Sequence, residues 1–229
     1  MKIKLTAVLL FFTLTISAQD LSSCAEVVLE TDSGSIRIAL YNETPKHRDN
    51  FLKLVKEGFY DGVLFHRVIE NFMIQTGDST TRHAQPGELL GEAPYENYTI
   101  PAEIRFPQIF HKRGSVAAAR EGDDVNPEHA SSMGQFYIVW GKRFSSNMMD
   151  DMEERLSRTT KTFFSFPREI REAYYRKGGT PHLDTQYTVF GEVLEGLDVV
   201  DKIQKMPGDE NNRPLTDIRI IKATVVKDI

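Results

Sequence analysis

Short β-favouring runs, most of them only three to five residues long, recur along this chain and constrain its fold more than any other feature. Segments rich in Gly, Pro and Asp separate the runs, and no repeat period is visible. This pattern is typical of strands in a barrel or a sandwich. The sequence therefore predicts a mainly β fold, with strands near residues 27–29, 36–40, 63–65, 72–75, 115–118, 136–139, 187–190 and 218–226.

Local signals place a hairpin and two helices within this framework. The first two runs are predicted to pair, because the Asp-Ser-Gly segment at 32–34 suits a tight turn. A helix is predicted next, since Thr44 offers an N-cap, Pro45 suits the first helical position and Gly58 ends the apolar face. A shorter helix is predicted at 198–203.

The segment from 141 to 179 has a different pattern. Met148, Met152 and Leu156 fall at helical spacing among charged residues, and Pro167 opens a second helical stretch. We therefore expect a helical insertion at 141–179 in the β framework. One interpretation is a surface insertion that covers only its own small apolar cluster.

The amino terminus is predicted to be a cleavable signal peptide, residues 1–18. Two lysines precede an apolar run that ends at a pair of small residues. A membrane-spanning helix needs ~20 apolar residues, so we expect no integral membrane span. The remaining chain would comprise a linker at 19–24 and a folded domain at 25–229, exported to a periplasm or out of the cell.

Cys24 is the only cysteine, so no disulfide can form within the chain. The residues before it loosely match a bacterial lipoprotein box, in which the cysteine would be lipidated and hold the protein on a membrane. Five residues, 19–23, separate it from the apolar run, which favours an incidental thiol near the terminus. Both interpretations stay open at this point.

Composition excludes several classes of partner. The chain has 229 residues, a net charge of -5 and a pI near 5.7, and it contains no basic stripe interleaved with aromatic residues. Nucleic acid is therefore not an expected partner. The histidines and the Asp pair at 123–124 match no zinc-binding spacing, so no metal site is predicted. We expect a monomer.

One arginine, Arg67, lies in a run of large apolar residues at 65–69, and a second apolar run follows at 72–75. Taken alone, such an arginine usually snorkels to solvent or pairs with a carboxylate. Further blocks follow downstream in a fixed order: Ala119-Arg120, Gln135-Phe136-Tyr137-Ile138, Leu183-Asp184 and Val189-Phe190-Gly191. With these blocks, the chain resembles the cyclophilin family of peptidyl-prolyl cis/trans isomerases over nearly all of residues 25–227, apart from the insertion and parts of 79–101.

The resemblance implies an eight-stranded antiparallel barrel capped by two helices, and rotation of X-Pro peptide bonds as the activity. It implies catalytic roles for Arg67 and Gln75. Proline-containing polypeptides are then the expected partners, and no cofactor is needed. The implied substrate-binding residues are Phe72, Met73, Ala119, Arg120, Tyr137, Leu183 and Tyr187, of which Ala119 and Arg120 would act through their backbones.

Two positions depart from many relatives. Tyr187 occupies a site where many carry histidine, and its phenol could still donate a hydrogen bond to a substrate. His182 stands where many eukaryotic relatives carry a tryptophan associated with cyclosporin binding. We therefore expect the drug to bind this protein weakly.

Two functions are compatible with these residues. The first is an exported isomerase that assists the folding of other exported proteins. The second is a non-catalytic module that holds proline-containing segments, as a chaperone or assembly factor. The insertion at 141–179 starts soon after Tyr137 and ends just before Leu183, so we expect it to shape one rim of the substrate groove.

Overall fold

Strand and helix bounds agree closely with the sequence pattern in most places. The computed structural model describes residues 21–91 and 98–229, so the predicted signal peptide at 1–18 lies outside the described residues. The strands are β1 (Ala25–Thr31), β2 (Gly34–Leu40), β3 (Arg67–Ile69), β4 (Met73–Thr76), β5 (Thr99–Ile100), β6 (Ser115–Ala118), β7 (Ser131–Ser132), β8 (Phe136–Val139), β9 (Val189–Glu195) and β10 (Ile220–Lys227). The α-helices are α1 (Pro45–Lys56), α2 (Ser146–Thr160), α3 (Arg168–Arg176) and α4 (Leu197–Gln204).

Eight of the strands form one antiparallel sheet in the order β10-β1-β2-β9-β6-β8-β4-β3. The first two strands make the predicted hairpin, with Thr31 paired to Gly34 at the turn. Gly34 has a φ of 133°, a backbone conformation that is unfavourable for residues with a side chain. The predicted mainly β, eight-stranded antiparallel architecture is confirmed.

The two ends of this sheet are joined by hydrogen bonds outside the named strands. The amide of Gly62 donates to the carbonyl of Ile220 at 2.7 Å, and the amide of Phe65 donates to Ile218 at 2.8 Å. The amide of Ile220 donates in return to Val63 at 2.9 Å. The prediction of a strand at 63–65 is therefore wrong, because Leu64 alone in this segment forms a β-bridge, and that bridge, to Arg219, is isolated. The segment instead links the β3 and β10 ends of the curled sheet.

Strand periodicity divides the sheet into two faces. One face carries the main core, to which Val116, Phe136 and Ile138 belong and onto which α1 and α4 pack. Alternate residues of the same strands, such as Ala117 and Tyr137, belong to a smaller cluster on the opposite face. The two predicted helices thus cover the main core, and the opposite face of β4, β6 and β8 is left to form a site.

Helix α1 begins where the sequence predicts, but its N-terminus is capped differently. Thr44 occupies the N-cap position and makes no capping hydrogen bond. The carboxylate of Glu103 accepts instead from the backbone amides of Lys46 at 3.2 Å and His47 at 3.0 Å. An anion at this position also interacts favourably with the helix dipole. No local signal could have identified a residue so distant in sequence.

The helical insertion is confirmed, and α2 and α3 pack around an apolar cluster that Phe106 and Phe110, which lie outside the insertion, join at its edge. The buried members of this cluster are Phe144, Met149, Leu156, Phe166, Ile170 and Tyr174. Met148 and Met152, predicted to be part of the packing face, are only half-buried at its edge. The insertion leaves and rejoins the β framework at one place, because Lys142 and Gly179 form a β-bridge.

The described chain starts with one turn of 3-10 helix at Leu21–Ser23, followed by Cys24. The Cys24 side chain is buried, with 2% exposure, directly before β1. Across residues 21–91 and 98–229, we find no helix with the length and apolar character needed to cross a membrane. The small sheet of β5 and β7 was not predicted, because two-residue strands carry no detectable periodicity.

Candidate active site

A row of residues crosses four neighbouring strands on the face opposite the main core. Arg67 of β3 lies opposite Gln75 of β4, and Gln75 lies opposite Tyr137 of β8. Tyr137 in turn lies opposite Ala117 of β6. Directly opposed residues of an antiparallel pair share a face, so the strand register alone brings Arg67, Gln75 and Tyr137 together.

All nine residues predicted for the site lie around one cavity of about 260 Å³. The turn between β3 and β4 contributes Phe72, a 3-10 helix at Pro181–Leu183 contributes Leu183, and the segment before β9 contributes Tyr187. Two further residues, Gly91 and Gln135, line the same cavity. The complete set is Arg67, Phe72, Met73, Gln75, Gly91, Ala119, Arg120, Gln135, Tyr137, Leu183 and Tyr187.

Arg67 is a half-buried cation beside apolar side chains. Its Nη1 donates a hydrogen bond to Oε1 of Gln75 at 3.1 Å. Among the described residues, no carboxylate lies within 4.0 Å of this guanidinium. Arg67 is therefore not part of an ordinary ion pair with a described residue. Desolvation lowers the pKa of Arg67, yet a guanidinium keeps its charge in proteins. Its remaining N–H donors are available to a bound molecule.

Gln75 is held at both ends of its amide. Its Oε1 accepts from Arg67, and its Nε2 donates to Oε1 of Gln135 at 3.1 Å. The backbone amide of Gln135 donates in turn to Oγ of Ser132 at 3.1 Å. No role for Gln135 was predicted from the sequence, although Gln135 directly precedes β8 and is only two residues from Tyr137. Its place in this chain makes it a support for the Gln75 side chain.

The Tyr137 wall is connected to the insertion by a buried hydrogen-bond network. Nδ1 of His111 lies 2.8 Å from Oδ1 of Asp184, and Nε2 of His111 lies 3.1 Å from the Tyr137 hydroxyl. The hydroxyl of Tyr174, in α3, donates to Oδ2 of Asp184 at 2.6 Å. All four residues are at most 5% exposed. Desolvation raises the pKa values of Tyr137 and Tyr174 well above their usual range, so both stay neutral.

The predicted backbone contact at Ala119 is constrained by internal hydrogen bonds, and the side chain of Arg120 is held in place by an ion pair. The Ala119 amide donates to the Gln135 carbonyl at 2.9 Å, and the Ala119 carbonyl accepts from Ser132 at 2.8 Å. A substrate contact at Ala119 would therefore use the second lone pair of its carbonyl. The Arg120 guanidinium is paired with Asp123 at 2.7 Å and lies 4.5 Å from the ring of Tyr187. Arg120 thus fixes the position of the Tyr187 ring at the cavity edge.

His182 marks the boundary between this cavity and the insertion. Its ring lies 5.4 Å from the ring of Phe72, measured between centroids. Desolvation lowers the pKa of His182 to about 4, and the neighbouring His111 and Arg155 act in the same direction. The imidazole is therefore neutral near pH 7. The expected weak binding of cyclosporin stays a prediction.

Comparisons with known proteins identify the family. The family model described as "Cyclophilin type peptidyl-prolyl cis-trans isomerase/CLD" matches residues 26–225. A protein of Staphylococcus aureus named "Putative peptidyl-prolyl cis-trans isomerase" is 32% identical over 196 residues, which are 85% of this chain and 88% of that protein. A protein of the same name from Staphylococcus epidermidis shows the same identity and coverage.

Solved structures agree on the fold. A cyclophilin-type isomerase from Cryptosporidium parvum matches with a TM-score of 0.60 and 22% identity, covering 90% of this chain and 99% of that one. A second structure of that protein, in the presence of the dipeptide Ala-Pro, matches with a TM-score of 0.59 and 21% identity, covering 89% and 99%. The family model and the sequence relatives together assign the chain. It belongs to the cyclophilin-type peptidyl-prolyl cis-trans isomerases.

Proposed function

We propose that this protein catalyses rotation of X-Pro peptide bonds in exported polypeptides and so assists their folding, with Arg67 as the catalytic residue. One observation carries the proposal. The Arg67 guanidinium is half-buried, donates to Gln75 and has no carboxylate partner among the described residues, and it lines a cavity walled by Phe72, Met73 and Leu183. A free cation beside an apolar wall suits a proline ring and its flanking amide.

The reaction requires only a rotation. An amide is planar because nitrogen shares its lone pair with the carbonyl, and the barrier to rotation is ~18–20 kcal/mol. When the X-Pro bond twists, this sharing stops and the prolyl nitrogen regains a lone pair. The Arg67 guanidinium can donate to that nitrogen in the twisted state but not in the planar states. The hydrogen bond therefore stabilises the transition state selectively.

Arg67 does not supply the whole acceleration. Uncatalysed rotation takes tens of seconds, so millisecond turnover needs about a 10⁴-fold gain, or ~5.5 kcal/mol. A charge-assisted hydrogen bond contributes ~1.5–3 kcal/mol. The rest must come from the apolar wall, from desolvation and from contacts with neighbouring substrate carbonyls. Gln75, held by Gln135, would orient the guanidinium and bind one such carbonyl.

Export is the part of the proposal that rests on the sequence alone. The pattern of residues 1–18 predicts a cleaved leader, and the mature chain would begin at Gln19. The Cys24 side chain is buried, so attachment of a thioether-linked lipid would require this side chain to leave its buried position. We therefore favour a free chain over a lipoprotein. The mass of the protein recovered from expressing cells tests this, since a chain starting at Gln19 without added lipid is expected and a diacylated Cys24 would contradict it.

Exchange NMR on an Ala-Pro peptide tests the catalytic proposal directly. We expect the mature protein to accelerate cis/trans exchange and Arg67→Ala to lower the rate by ~10–100-fold, because one charge-assisted hydrogen bond is lost. Arg158→Ala, on the exposed surface of α2, is the matched control and should retain full activity. An Arg67→Ala variant that is folded and as active as the wild type would contradict the role of Arg67.

A second candidate function is binding without turnover. The observation that favours it is the insertion, whose helices lie beside the cavity across Phe72 and His182. The same NMR experiment separates the two functions. Peptide binding without accelerated exchange in the wild type would favour a binding module for proline-containing segments.

A further inference from the structure

A second groove lies next to the cavity that contains Arg67. We call it the α2 groove; it has a volume of about 550 Å³. One side is formed by the insertion, with Phe144, Met148 and Met152, and the other by Phe72 and His182. The groove exists because Met148 and Met152 are only half-buried at the edge of the insertion cluster. Apolar surface is therefore left uncovered within a concave site.

The α2 groove is continuous with the candidate active site. Phe72 lines both cavities. Of two residues adjacent in sequence, His182 lines the α2 groove and Leu183 lines the cavity that contains Arg67. The two rings at the boundary between the cavities, those of Phe72 and His182, have their centroids 5.4 Å apart. An extended chain advances ~3.3–3.6 Å per residue, so about two residues span a distance of this size. A polypeptide whose proline occupies the cavity can thus reach the groove.

Side chains in the groove define what it could bind. Met148 and Met152 are flexible and polarisable, and such side chains accommodate varied apolar partners. Lys142 and Arg155 line the groove, and among the described residues neither has a carboxylate within 4.0 Å. Asp151 is the only acidic residue in the lining. The lining therefore combines an apolar floor with two cations against one anion.

We propose that the α2 groove is a subsite for the same polypeptide that places its proline beside Arg67. It binds a large apolar side chain about two residues from the proline, with an acidic residue next to it that pairs with Lys142 or Arg155. Continuity across Phe72 favours this occupant over a separate partner protein or a second copy of the chain. The inference rests on the proposed function, since it assumes that the first cavity receives proline.

The test compares matched peptides by NMR titration and by exchange NMR. All contain Ala-Pro; one set carries Leu and Glu two and three residues from the proline, and the other carries Ser and Lys there. Both the N-terminal and the C-terminal sides of the proline are sampled. For the wild type, we expect one Leu/Glu peptide to bind about tenfold more tightly than its Ser/Lys counterpart, which is the gain from burying part of one apolar side chain and pairing one charge.

Two substitutions in the groove test its location. Met152→Gln and Arg155→Glu should each reduce the tenfold preference to roughly threefold or less. Arg158→Glu is the matched charge reversal on the same helix, where Arg158 pairs with Glu154 and is 70% exposed. This control should keep the full preference. Using the affinity ratio makes the result independent of small changes in overall stability.

The outcomes separate this inference from the proposed function. Accelerated exchange with no preference between the peptides, or with a preference that both groove variants retain, would overturn the subsite and leave the isomerase intact. A preference that the groove variants abolish, without accelerated exchange, would support the subsite and contradict catalysis. Groove signals that respond only to a second copy of the chain would also overturn the inference.

Discussion

Arg67 donates one of its N–H groups to Gln75, and the residue lines the cavity. A guanidinium has five donors in a rigid plane, so one can anchor the group while another reaches a substrate. This division of donors depends on Gln75, which is itself anchored by Gln135. At the scale of single residues, the proposed chemistry thus requires a fixed guanidinium plane as well as a positive charge.

The Arg67→Lys variant tests whether the guanidinium plane is needed. An ammonium keeps the charge but cannot donate to Gln75 and to a prolyl nitrogen in the same fixed geometry. We expect its exchange rate to fall by about tenfold or more, close to the effect of Arg67→Ala. Exchange NMR with the Ala-Pro peptide measures this. A lysine variant within roughly threefold of the wild type would mean that charge alone is sufficient.

At the scale of secondary-structure elements, α3 contacts the site through Tyr174. The chain of hydrogen bonds runs from Tyr174 to Asp184, then to His111 and to the Tyr137 hydroxyl. Every member is buried, so each broken hydrogen bond leaves a polar atom without solvent. The insertion is thereby connected to the wall of the cavity.

Tyr174→Phe tests this connection. It leaves Oδ2 of Asp184 without its donor, and we expect the free energy of unfolding to fall by about 1–3 kcal/mol. We also expect KM for the Ala-Pro peptide to rise while kcat changes less, together with shifted NMR signals of Tyr137. Tyr175→Phe is the control, because Tyr175 accepts from Arg171 on the insertion and, within the part of the chain that the structure describes, makes no hydrogen bond toward the site. Equal effects of both variants would argue for a purely structural role.

Removing most of the insertion tests its role as a rim. The bridge between Lys142 and Gly179 brings its ends together, so a short Gly/Ser linker can replace residues 143–177. We expect the relative rates for different peptides to change more than the rate for the simplest one, because the proposed catalytic residues Arg67 and Gln75 lie on β3 and β4, outside the insertion. Rates measured on a peptide panel and on folded clients decide this. If the order of rates among these substrates is unchanged, the insertion has no role in substrate choice.

At the scale of the whole molecule, the free energy of unfolding depends on pH through histidines whose pKa values are lowered by burial. His66 is 3% exposed, and desolvation lowers its pKa from 6.5 to about 4. Between these two values the unfolded chain binds more protons than the folded one, so stability falls as pH drops from 6.5 toward 4 and is level above 6.5. For His66 alone, the loss between pH 7 and pH 5 is about 2 kcal/mol.

The His66→Leu variant tests how much His66 contributes to the pH dependence of stability. Urea unfolding of the wild type and the variant at pH 7 and pH 5 gives two pH differences. We expect the difference to be about 2 kcal/mol smaller in the variant, while His47 and His182, whose pKa values are also lowered, contribute equally to both. Equal pH differences would show that His66 is not the group responsible.

The helices and strands that could be predicted are those with a local period or an end signal. Helix α1, the hairpin of β1 and β2, and the strands β6 and β8 match the predicted bounds to within a few residues. The site residues were assigned by resemblance, and the strand register explains why Arg67, Gln75 and Tyr137 meet. Val63–Phe65 was predicted as a strand because its composition favours β structure, whereas its pairing depends on the distant segment 218–220.

The amino-acid sequence by itself determined the alternation of strands, the two covering helices and the presence of an insertion, and its resemblance to a family supplied the proposed site residues. Only the tertiary structure decided that Glu103 caps α1, that Tyr174 reaches Tyr137 through Asp184 and His111, and that Met148 and Met152 line a second groove. The physical reason is the distance along the chain over which each kind of interaction acts. Periodicity and turn chemistry act within a few residues, whereas these contacts join side chains far apart in the chain whose meeting depends on how the whole sheet curls.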